Sequence, residues 1–201
     1  MRVVIGVITA DGVAPETCKS IFDLDKAGCE CLFHYVQGYD CASARNRIAR
    51  FAIDDEADYL LAVDSDVVLP SDALANMLEH GEDIVLGFYA RRGFFDGTTT
   101  IIRKGSADHD DSMNADEFEL MREAGAFKCE AKAGGMGCAL IRTSVFKRIG
   151  YPYYKWTCYK DGKFLSEDYY FFQQCRNAGI KVHVDARVGC GHIFRHLQGS
   201  L

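Results

Sequence analysis

The fold is decided by residues 57–70, which read ADYLLAVDSDVVLP. The unbroken apolar run at 59–63 is typical of a strand buried on both faces, as strands of parallel sheets are. Asp64 and Asp66 follow this strand directly, and their side chains point the same way if the chain stays extended. Because ligands of α/β proteins bind at such strand ends, this stretch predicts a polar site at the carboxyl edge of a sheet.

The segments on either side repeat the alternation of strand and helix. The predicted strands are 3–8, 29–36, 59–63 and 84–88, and the predicted helices are 42–55 and 71–81. Ser71 is the expected N-cap of the second helix, and Gly81 its end. This alternation predicts an α/β fold with a single, mostly parallel central sheet and helices on both faces.

The second half of the chain is less regular. An irregular excursion is expected over 103–117, a polar and acidic stretch that includes DHDD at 108–111. Strands are predicted at 127–133, 138–141 and 180–184, and helices at 144–149 and 166–179, the last capped by Ser166.

Composition limits the classes of protein to consider. The chain has 201 residues, of which 48% are apolar, which suits a single domain over 1–201 with a sizeable core. Its formal net charge of -6 argues against general nucleic-acid binding, which needs excess Lys and Arg to neutralise phosphates. No segment approaches the roughly 20 apolar residues of a membrane span, so none is expected.

The cysteines are interpreted as free thiols. There are nine of them, an odd number at irregular spacing, and no CxxC pair occurs. Cys138 and Cys175 lie inside apolar runs, where a thiol behaves as a small hydrophobic group. Because reduced thiols persist in reducing compartments, a cytoplasmic location is expected.

The motif Asp64-Ser65-Asp66 is the first candidate for chemistry. Two neighbouring carboxylates repel each other, and a hard divalent cation with oxygen ligands, Mn²⁺ or Mg²⁺, relieves that repulsion. Such a cation also suits the neutralisation of a diphosphate. A solvated acidic turn after a strand is the alternative interpretation.

Two further candidates lie near the end of the chain. Asp168, in the first turn of a predicted helix, is a candidate general base, or else an acid that the helix dipole stabilises. His192 is a candidate metal ligand beyond the last strand, or else an ordinary polar residue at the surface. Cys190 together with His192 does not complete a zinc site, because no second pair stands at ligand spacing.

Glycines and arginines supply the remaining candidates. The glycine-rich run at 134–137 allows close approach of the backbone to a ligand, or forms only a turn. Arg45 and the pair Arg91-Arg92 suit bidentate phosphate contacts. A solvated basic helix face is the alternative for Arg45.

The order of these motifs resembles that of the GT-A glycosyltransferases, and most closely glycosyltransferase family two. The segments that carry the resemblance are ARNRIARFA (44–52), ADYLLAVDSDVVLP (57–70), DIVLGFYARR (83–92), AGGMGCALIRTSVFKRIG (133–150) and SEDYYFFQQCRNAGIKVHVDARVGCGH (166–192). They span nearly the whole chain. The resemblance implies a metal-dependent hexosyl- or deoxyhexosyltransferase that moves a sugar from a UDP- or GDP-type nucleotide-sugar donor. The acceptor hydroxyl would belong to a glycan, a protein-linked glycan or a lipid-linked molecule.

The resemblance also implies roles for the candidate residues. Asp64, Asp66 and His192 would form the Mn²⁺ or Mg²⁺ site, and Asp168 would be the general base of an inverting reaction. Residues from several strand ends would contact the donor, namely Thr9, Asp11, Arg45, Asp64, Ser65, Gly134 and Gly135. The aromatic residues Tyr153, Tyr154 and Trp156 would shape the sugar and acceptor site.

Departures from the family pattern keep alternatives open. The chain ends soon after His192, where many relatives continue, which suits a catalytic domain excised from a longer protein. Within 35–40, Asp40 is the only acid that could contact a uracil base, so the identity of the nucleotide base stays open.

Two alternative functions are also considered. A sugar nucleotidyltransferase usually has a Gly-rich loop with a basic residue after the first strand, which TADGVAPET (9–17) lacks. A non-catalytic nucleotide-sugar-binding module is the other alternative, although it would not need both Asp66 and Asp168.

Overall fold

The computed structural model describes residues 1–94, 96–106, 111–158, 162 and 164–194. Within them the helices are α1 (Pro15–Phe22), α2 (Cys41–Asp54), α3 (Ala73–Glu79), α4 (Ala115–Glu123), α5 (Ser144–Ile149) and α6 (Glu167–Asn177). The strands are β1 (Arg2–Thr9), β2 (Glu30–Gln37), β3 (Tyr59–Asp64), β4 (Val67–Val68), β5 (Ile84–Phe88), β6 (Thr98–Arg103), β7 (Ser112–Asn114), β8 (Lys128–Ala133), β9 (Cys138–Arg142), β10 (Thr157–Cys158), β11 (Phe164–Leu165), β12 (Val182–Gly189) and β13 (Gly191–His192).

A large mixed sheet forms the centre of the fold. Across the described residues it has nine strands in the order β2-β1-β3-β9-β5-β12-β8-β6-β7. Strands β2, β1, β3, β5, β12 and β6 run in one direction, and β9, β8 and β7 run against them. The predicted α/β class with a mostly parallel central sheet is confirmed.

Helices cover both faces of this sheet. Along β1, Val3, Ile5 and Val7 pack with α1 and α3, whereas Val4 and Ile8 face the core beneath α2, α5 and α6. This alternation follows from the two-residue side-chain period of a strand. Because both faces are buried, β1, β3 and β5 read as unbroken apolar runs in the sequence.

Helix α2 lies unusually close to β1 at Gly6. A Cβ atom added there would lie 2.2 Å from Ile48 Cγ2 and 3.0 Å from Leu60 Cδ1. The Gly6→Ala variant is therefore expected to lower the free energy of unfolding by about 1–3 kcal/mol, the usual cost of overpacking. Urea denaturation measures this loss. In an Ile48→Ala background the added methyl group has room, so an equal loss in both backgrounds would contradict the explanation.

Several strands end at one edge of the sheet and bring distant residues together there. β1 ends at Thr9, β3 at Asp64 and β5 at Phe88. Just beyond this edge, β13 pairs with β4, and the pairing sets His192 opposite Val67. The Ile193 amide donates to the Asp66 carbonyl at 2.8 Å, which completes this junction. Val67 and His192, which are 125 positions apart in sequence, are thereby neighbours.

The irregular excursion expected over 103–117 is wrong at its C-terminal end. Residues 107–110, which hold most of the DHDD run, lie outside the described residues. Ser112–Asn114 is strand β7, and helix α4 starts at Ala115. The helix forms there because Asn114 and Glu117 make a capping box, in which each side chain accepts from the other residue's backbone amide.

Smaller differences concern helix starts. Helix α1 has no counterpart among the predicted elements, although Pro15 occupies its first turn, where a missing N–H costs nothing. Helix α3 begins after Asp72 rather than after Ser71. Ser166 does occupy the N-cap position of α6, but its hydroxyl donates to Asp168 instead of capping a backbone amide.

Candidate active site

A buried arginine connects Asp64-Ser65-Asp66, here called the DSD motif, to helix α6. Arg45, on α2, has its Nη2 atom 2.9 Å from Asp64 Oδ1 and its Nε atom 3.3 Å from Glu167 Oε1. The side chains of Arg45 and Glu167 are only 9% and 7% exposed. One guanidinium therefore serves two carboxylates, one at the end of β3 and one beside Asp168.

The charges in this triad depend on one another. Burial lowers the pKa of Arg45, but the charges of Asp64 and Glu167 raise it more, so the net shift is upward. Burial raises the pKa of Glu167, and the charge of Arg45 opposes that shift only in part. Arg45 is thus a fixed internal cation that holds Asp64 and Glu167, rather than a free arm at the surface.

The second acid of the motif, Asp66, meets His192 and Arg92. Asp66 Oδ2 lies 3.5 Å from His192 Nε2 and 2.5 Å from Arg92 Nη2. The contact with His192 is the largest influence that lowers the pKa of Asp66, and the Arg92 charge adds to it while burial opposes it. Asp66 is accordingly an ionised carboxylate with two polar neighbours on one oxygen.

The imidazole of His192 is oriented by the backbone. Its Nδ1 atom lies 2.8 Å from the Ala90 carbonyl, and since a carbonyl only accepts, Nδ1 carries the hydrogen. The Nε2 atom is thereby directed toward Asp66. A hydrogen bond from one ring nitrogen to a backbone carbonyl is the arrangement that orients metal-ligating histidines, and Nε2 can serve as a ligand once it has lost its proton.

The three predicted metal ligands do not form one cluster. The carboxylate of Asp64 faces Arg45, whereas Asp66 faces His192. Among the residues that the structure describes, no group of three or more His, Cys, Asp or Glu side chains is close enough to hold an ion. Asp66 and His192 therefore offer two ligands, and a bound ligand would have to supply the others.

A cavity of about 530 Å³ opens beside this pair. Its wall includes Asp11, Gly12, Ser65, Asp66 and Arg92. Asp11 and Ser65 thus lie where the sequence predicts donor contacts. Arg92 and Asp66 form an ion pair with each other in this wall.

Thr9 was predicted to contact the donor, but it is not among the residues that line this cavity. Its side chain is buried, its hydroxyl donates to the Gly12 carbonyl and it accepts from the Gly12 amide at 2.9 Å. Thr9 thereby closes the turn that presents Asp11. Asp40, the only acid offered to a base, caps α2 by accepting from the Ser43 amide at 3.1 Å.

A smaller cavity of about 140 Å³ contains Asp168. Arg91, Gly134, Gly135 and Tyr169 also line it. Asp168 Oδ1 accepts from the Ser166 hydroxyl and from the Tyr169 amide. These bonds fix the carboxylate at the start of α6, next to the residue that pairs with Arg45.

The glycines after β8 are needed chiefly for packing against Tyr89. A Cβ atom would lie 2.1 Å from the Tyr89 hydroxyl at Gly135 and 2.7 Å from it at Gly137. The Gly137 amide donates to that hydroxyl at 2.9 Å. Burial raises the pKa of Tyr89, and the charges of Asp64 and Asp168 add to the shift. Gly134 and Gly135 additionally line the smaller cavity.

The aromatic residues expected at the sugar site divide into two groups. Tyr153 and Tyr154 are buried, and Tyr154 stacks on Phe171 with ring centroids 4.9 Å apart, so both rings are part of the core in this structure. Trp156 is exposed and stacks on Phe164 with centroids 5.1 Å apart.

Sequence reasoning missed Asn46, which holds the 153–154 segment against α2. Its amide group donates to the carbonyls of Ala42 and Tyr154 and accepts from the amides of Tyr153 and Tyr154. The neighbour of Arg45 in sequence therefore fixes the backbone beneath the site. A polar residue inside the apolar spacing of a helix is the signal that could have identified it.

The predicted state of the cysteines is confirmed. All nine lie in the described part of the chain, and all are free thiols. Cys190 has a hydrogen-bonding contact with the buried Cys138 thiol, which is the main cause of its raised pKa. Cys190 is therefore directed toward the core.

Comparisons with known proteins bear on the fold. No protein-family model and no curated protein matches the chain. Among solved structures the chain is similar to protein A197 from STIV, with a TM-score of 0.65 and 18% identity over 97% of this chain and 87% of that one. It is also similar to GalNAc-T7, crystallised with UDP, GalNAc and Mn²⁺, with a TM-score of 0.63 and 11% identity. That match covers 98% of this chain but 44% of GalNAc-T7.

The fold is that of the GT-A glycosyltransferases. At these identities the similarity establishes the fold alone, and the chemistry has to be argued from the residues. None of the helices in the described part of the chain combines the length and apolar composition that a bilayer-spanning segment needs.

Proposed function

We propose that this protein is a metal-dependent glycosyltransferase that moves a sugar from a nucleoside diphosphate to an acceptor hydroxyl with inversion. The observation that carries the proposal is the pair formed by Asp66 Oδ2 and His192 Nε2, 3.5 Å apart beside the 530 Å³ cavity. The GT-A fold supports it by analogy.

Asp66 and His192 fit a divalent cation such as Mn²⁺ or Mg²⁺. One carboxylate oxygen and one oriented imidazole nitrogen are suitable donors, and an open site leaves coordination positions for a diphosphate. When bound, the cation would supply charge neutralisation at the departing diphosphate. In this proposal Asp64 is held by Arg45 beside the donor rather than on the cation.

The larger cavity is proposed to hold the nucleotide. Asp11 and Ser65 line it with polar groups, and Arg92 supplies a cation of the type that binds phosphate. A volume of about 530 Å³ is in the range of small-molecule sites. The nucleotide base stays open between the UDP and GDP types. Asp40, the acid considered for a contact with uracil, instead accepts a hydrogen bond from the Ser43 amide.

Asp168 is proposed as the general base. It would take the proton from the acceptor hydroxyl while that oxygen attacks the anomeric carbon and the bond to the diphosphate oxygen breaks. Support comes from its place in the smaller cavity, which Gly134 and Gly135 also line. The exposed Trp156–Phe164 stack offers an aromatic surface of the type that suits the apolar face of an acceptor sugar.

Release of nucleoside diphosphate tests the reaction class. The protein is incubated with UDP- and GDP-sugars, with Mn²⁺ or with EDTA, and nucleotide release is followed by chromatography. Slow release by water that stops with EDTA supports a transferase. Pyrophosphate release from a nucleoside triphosphate and a sugar 1-phosphate would make the protein a nucleotidyltransferase, and donor binding without any release would make it a binding module.

The Asp66→Ala variant is expected to lose metal-dependent nucleotide binding. Removing one of two protein ligands leaves His192 alone, which is too few to hold the cation in competition with water. Isothermal titration with nucleotide in the presence of Mn²⁺ measures the loss. The matched control is Asp72→Ala, an acid at the start of α3, and unchanged affinity of Asp66→Ala would remove Asp66 as a ligand.

A further inference from the structure

Two arginines flank the DSD motif, and they differ in freedom. Arg45 is buried and bonded to two carboxylates, whereas the side chain of Arg92 is 68% exposed and contacts the Asp66 carboxylate. An exposed ion pair adds little stability, so Arg92 is free to exchange its partner. Arg45 has no such freedom.

Arg92 contacts the oxygen that the proposed cation would use. Its Nη2 atom lies 2.5 Å from Asp66 Oδ2, and the same oxygen faces His192 Nε2 at 3.5 Å. A guanidinium and a divalent cation cannot both occupy this position, because like charges at such distance repel strongly. Binding of the cation therefore requires that Arg92 leaves.

Backbone hydrogen bonds hold the residues on either side of Arg92, whose side chain lines the larger cavity. The Arg91 amide donates to the Thr98 carbonyl at 2.9 Å, and the Phe94 amide donates to the Arg91 carbonyl at 3.1 Å. The Arg91 guanidinium stacks on Phe94, 4.9 Å from the ring centroid, and lines the smaller cavity. The turn thus directs consecutive arginines into the two cavities.

We infer that Arg92 is an exchangeable counterion: it neutralises Asp66 in the ligand-free protein and moves to the diphosphate when the cation takes its place. The inference rests on the proposed function, since it needs a diphosphate in the larger cavity. A guanidinium released from a carboxylate is well suited to this second role, because the fork that binds a carboxylate also binds phosphate oxygens. The cavity then keeps its charge balance in both states.

Opposite effects on two ligands test this inference. Arg92→Ala removes the competitor for Asp66, so affinity for Mn²⁺ alone should rise about three- to fivefold, in line with the weak strength of exposed ion pairs. The same variant loses a charge-assisted phosphate contact, so affinity for UDP or GDP in saturating Mn²⁺ should fall about tenfold or more. Arg92→Lys should recover part of the nucleotide affinity.

The measurements are Mn²⁺ binding by electron paramagnetic resonance and nucleotide binding by isothermal titration. Arg50→Ala is the matched control, because Arg50 forms an exposed ion pair with Asp54 on α2 and lies outside both cavities. Both affinities falling together, or neither changing, would overturn the inference while leaving the proposed function intact. If the wild-type protein binds neither nucleotide with Mn²⁺, the proposed function fails, and the inference fails with it.

Discussion

Replacing Asp168 with asparagine is expected to slow sugar transfer by about 10²- to 10⁴-fold and to leave donor binding unchanged. The amide keeps the size of the carboxylate but does not take a proton from the acceptor. The hydrogen bonds that Asp168 Oδ1 accepts from Ser166 and the Tyr169 amide can be kept by the asparagine oxygen. Donor affinity by isothermal titration and turnover by nucleotide release measure the two effects separately.

A purely structural role for Asp168 predicts a different result. An acid in the first turn of a helix stabilises it by about 0.3–1 kcal/mol, so asparagine would then lower stability slightly and leave turnover almost unchanged. Asp116→Asn is the matched control, because Asp116 also lies in the first turn of a helix, α4. Near-normal turnover of Asp168→Asn would remove it as the base.

Replacing Arg45 with methionine is expected to lower the free energy of unfolding by about 3–5 kcal/mol. The cost arises because Asp64 and Glu167 lose their shared guanidinium, and Glu167 is almost wholly buried. Urea denaturation measures the loss. Arg50→Ala, which breaks an exposed pair on the same helix, should cost no more than about 1 kcal/mol.

A compensating variant separates the charge effect from packing. Neutralising the buried partner as well, in Arg45→Met with Glu167→Gln, should restore part of the lost stability because the uncompensated charge is gone. If the double variant is no more stable than Arg45→Met alone, the buried charge is not the cause. A loss near that of Arg50→Ala would show that Arg45 is not the internal cation of the site.

The fold could be predicted because its central strands are recognisable in the sequence. β1, β3 and β5 are buried on both faces, so each appears as an unbroken apolar run, and the polar residues that end them mark one edge of the sheet. Helix α4 was missed for an identifiable reason. The acidic composition of its surroundings suggested a loop, whereas Asn114 and Glu117, three residues apart, carry the pattern of a capping box.

The site was predicted less completely, because the type of a residue does not reveal which other side chain it contacts in the fold. Arg45 suits phosphate contact in sequence, but in the fold it pairs with Asp64 and Glu167, 19 and 122 residues away. Tyr154 suits a sugar platform, but it stacks on Phe171 in the core. The partners of such residues are set by how α2 and α6 pack on the sheet, which local spacing does not encode.

A thermal-shift panel tests the metal-clamped donor site most directly. The melting temperature is measured with UDP, GDP, CDP and dTDP, each with Mn²⁺ and with EDTA, because a ligand that binds only the folded state raises it. One nucleotide class is expected to raise the melting temperature with Mn²⁺ and to have no effect with EDTA. No shift with any nucleotide, or an equal shift with EDTA, would contradict a donor site built on Asp66 and His192.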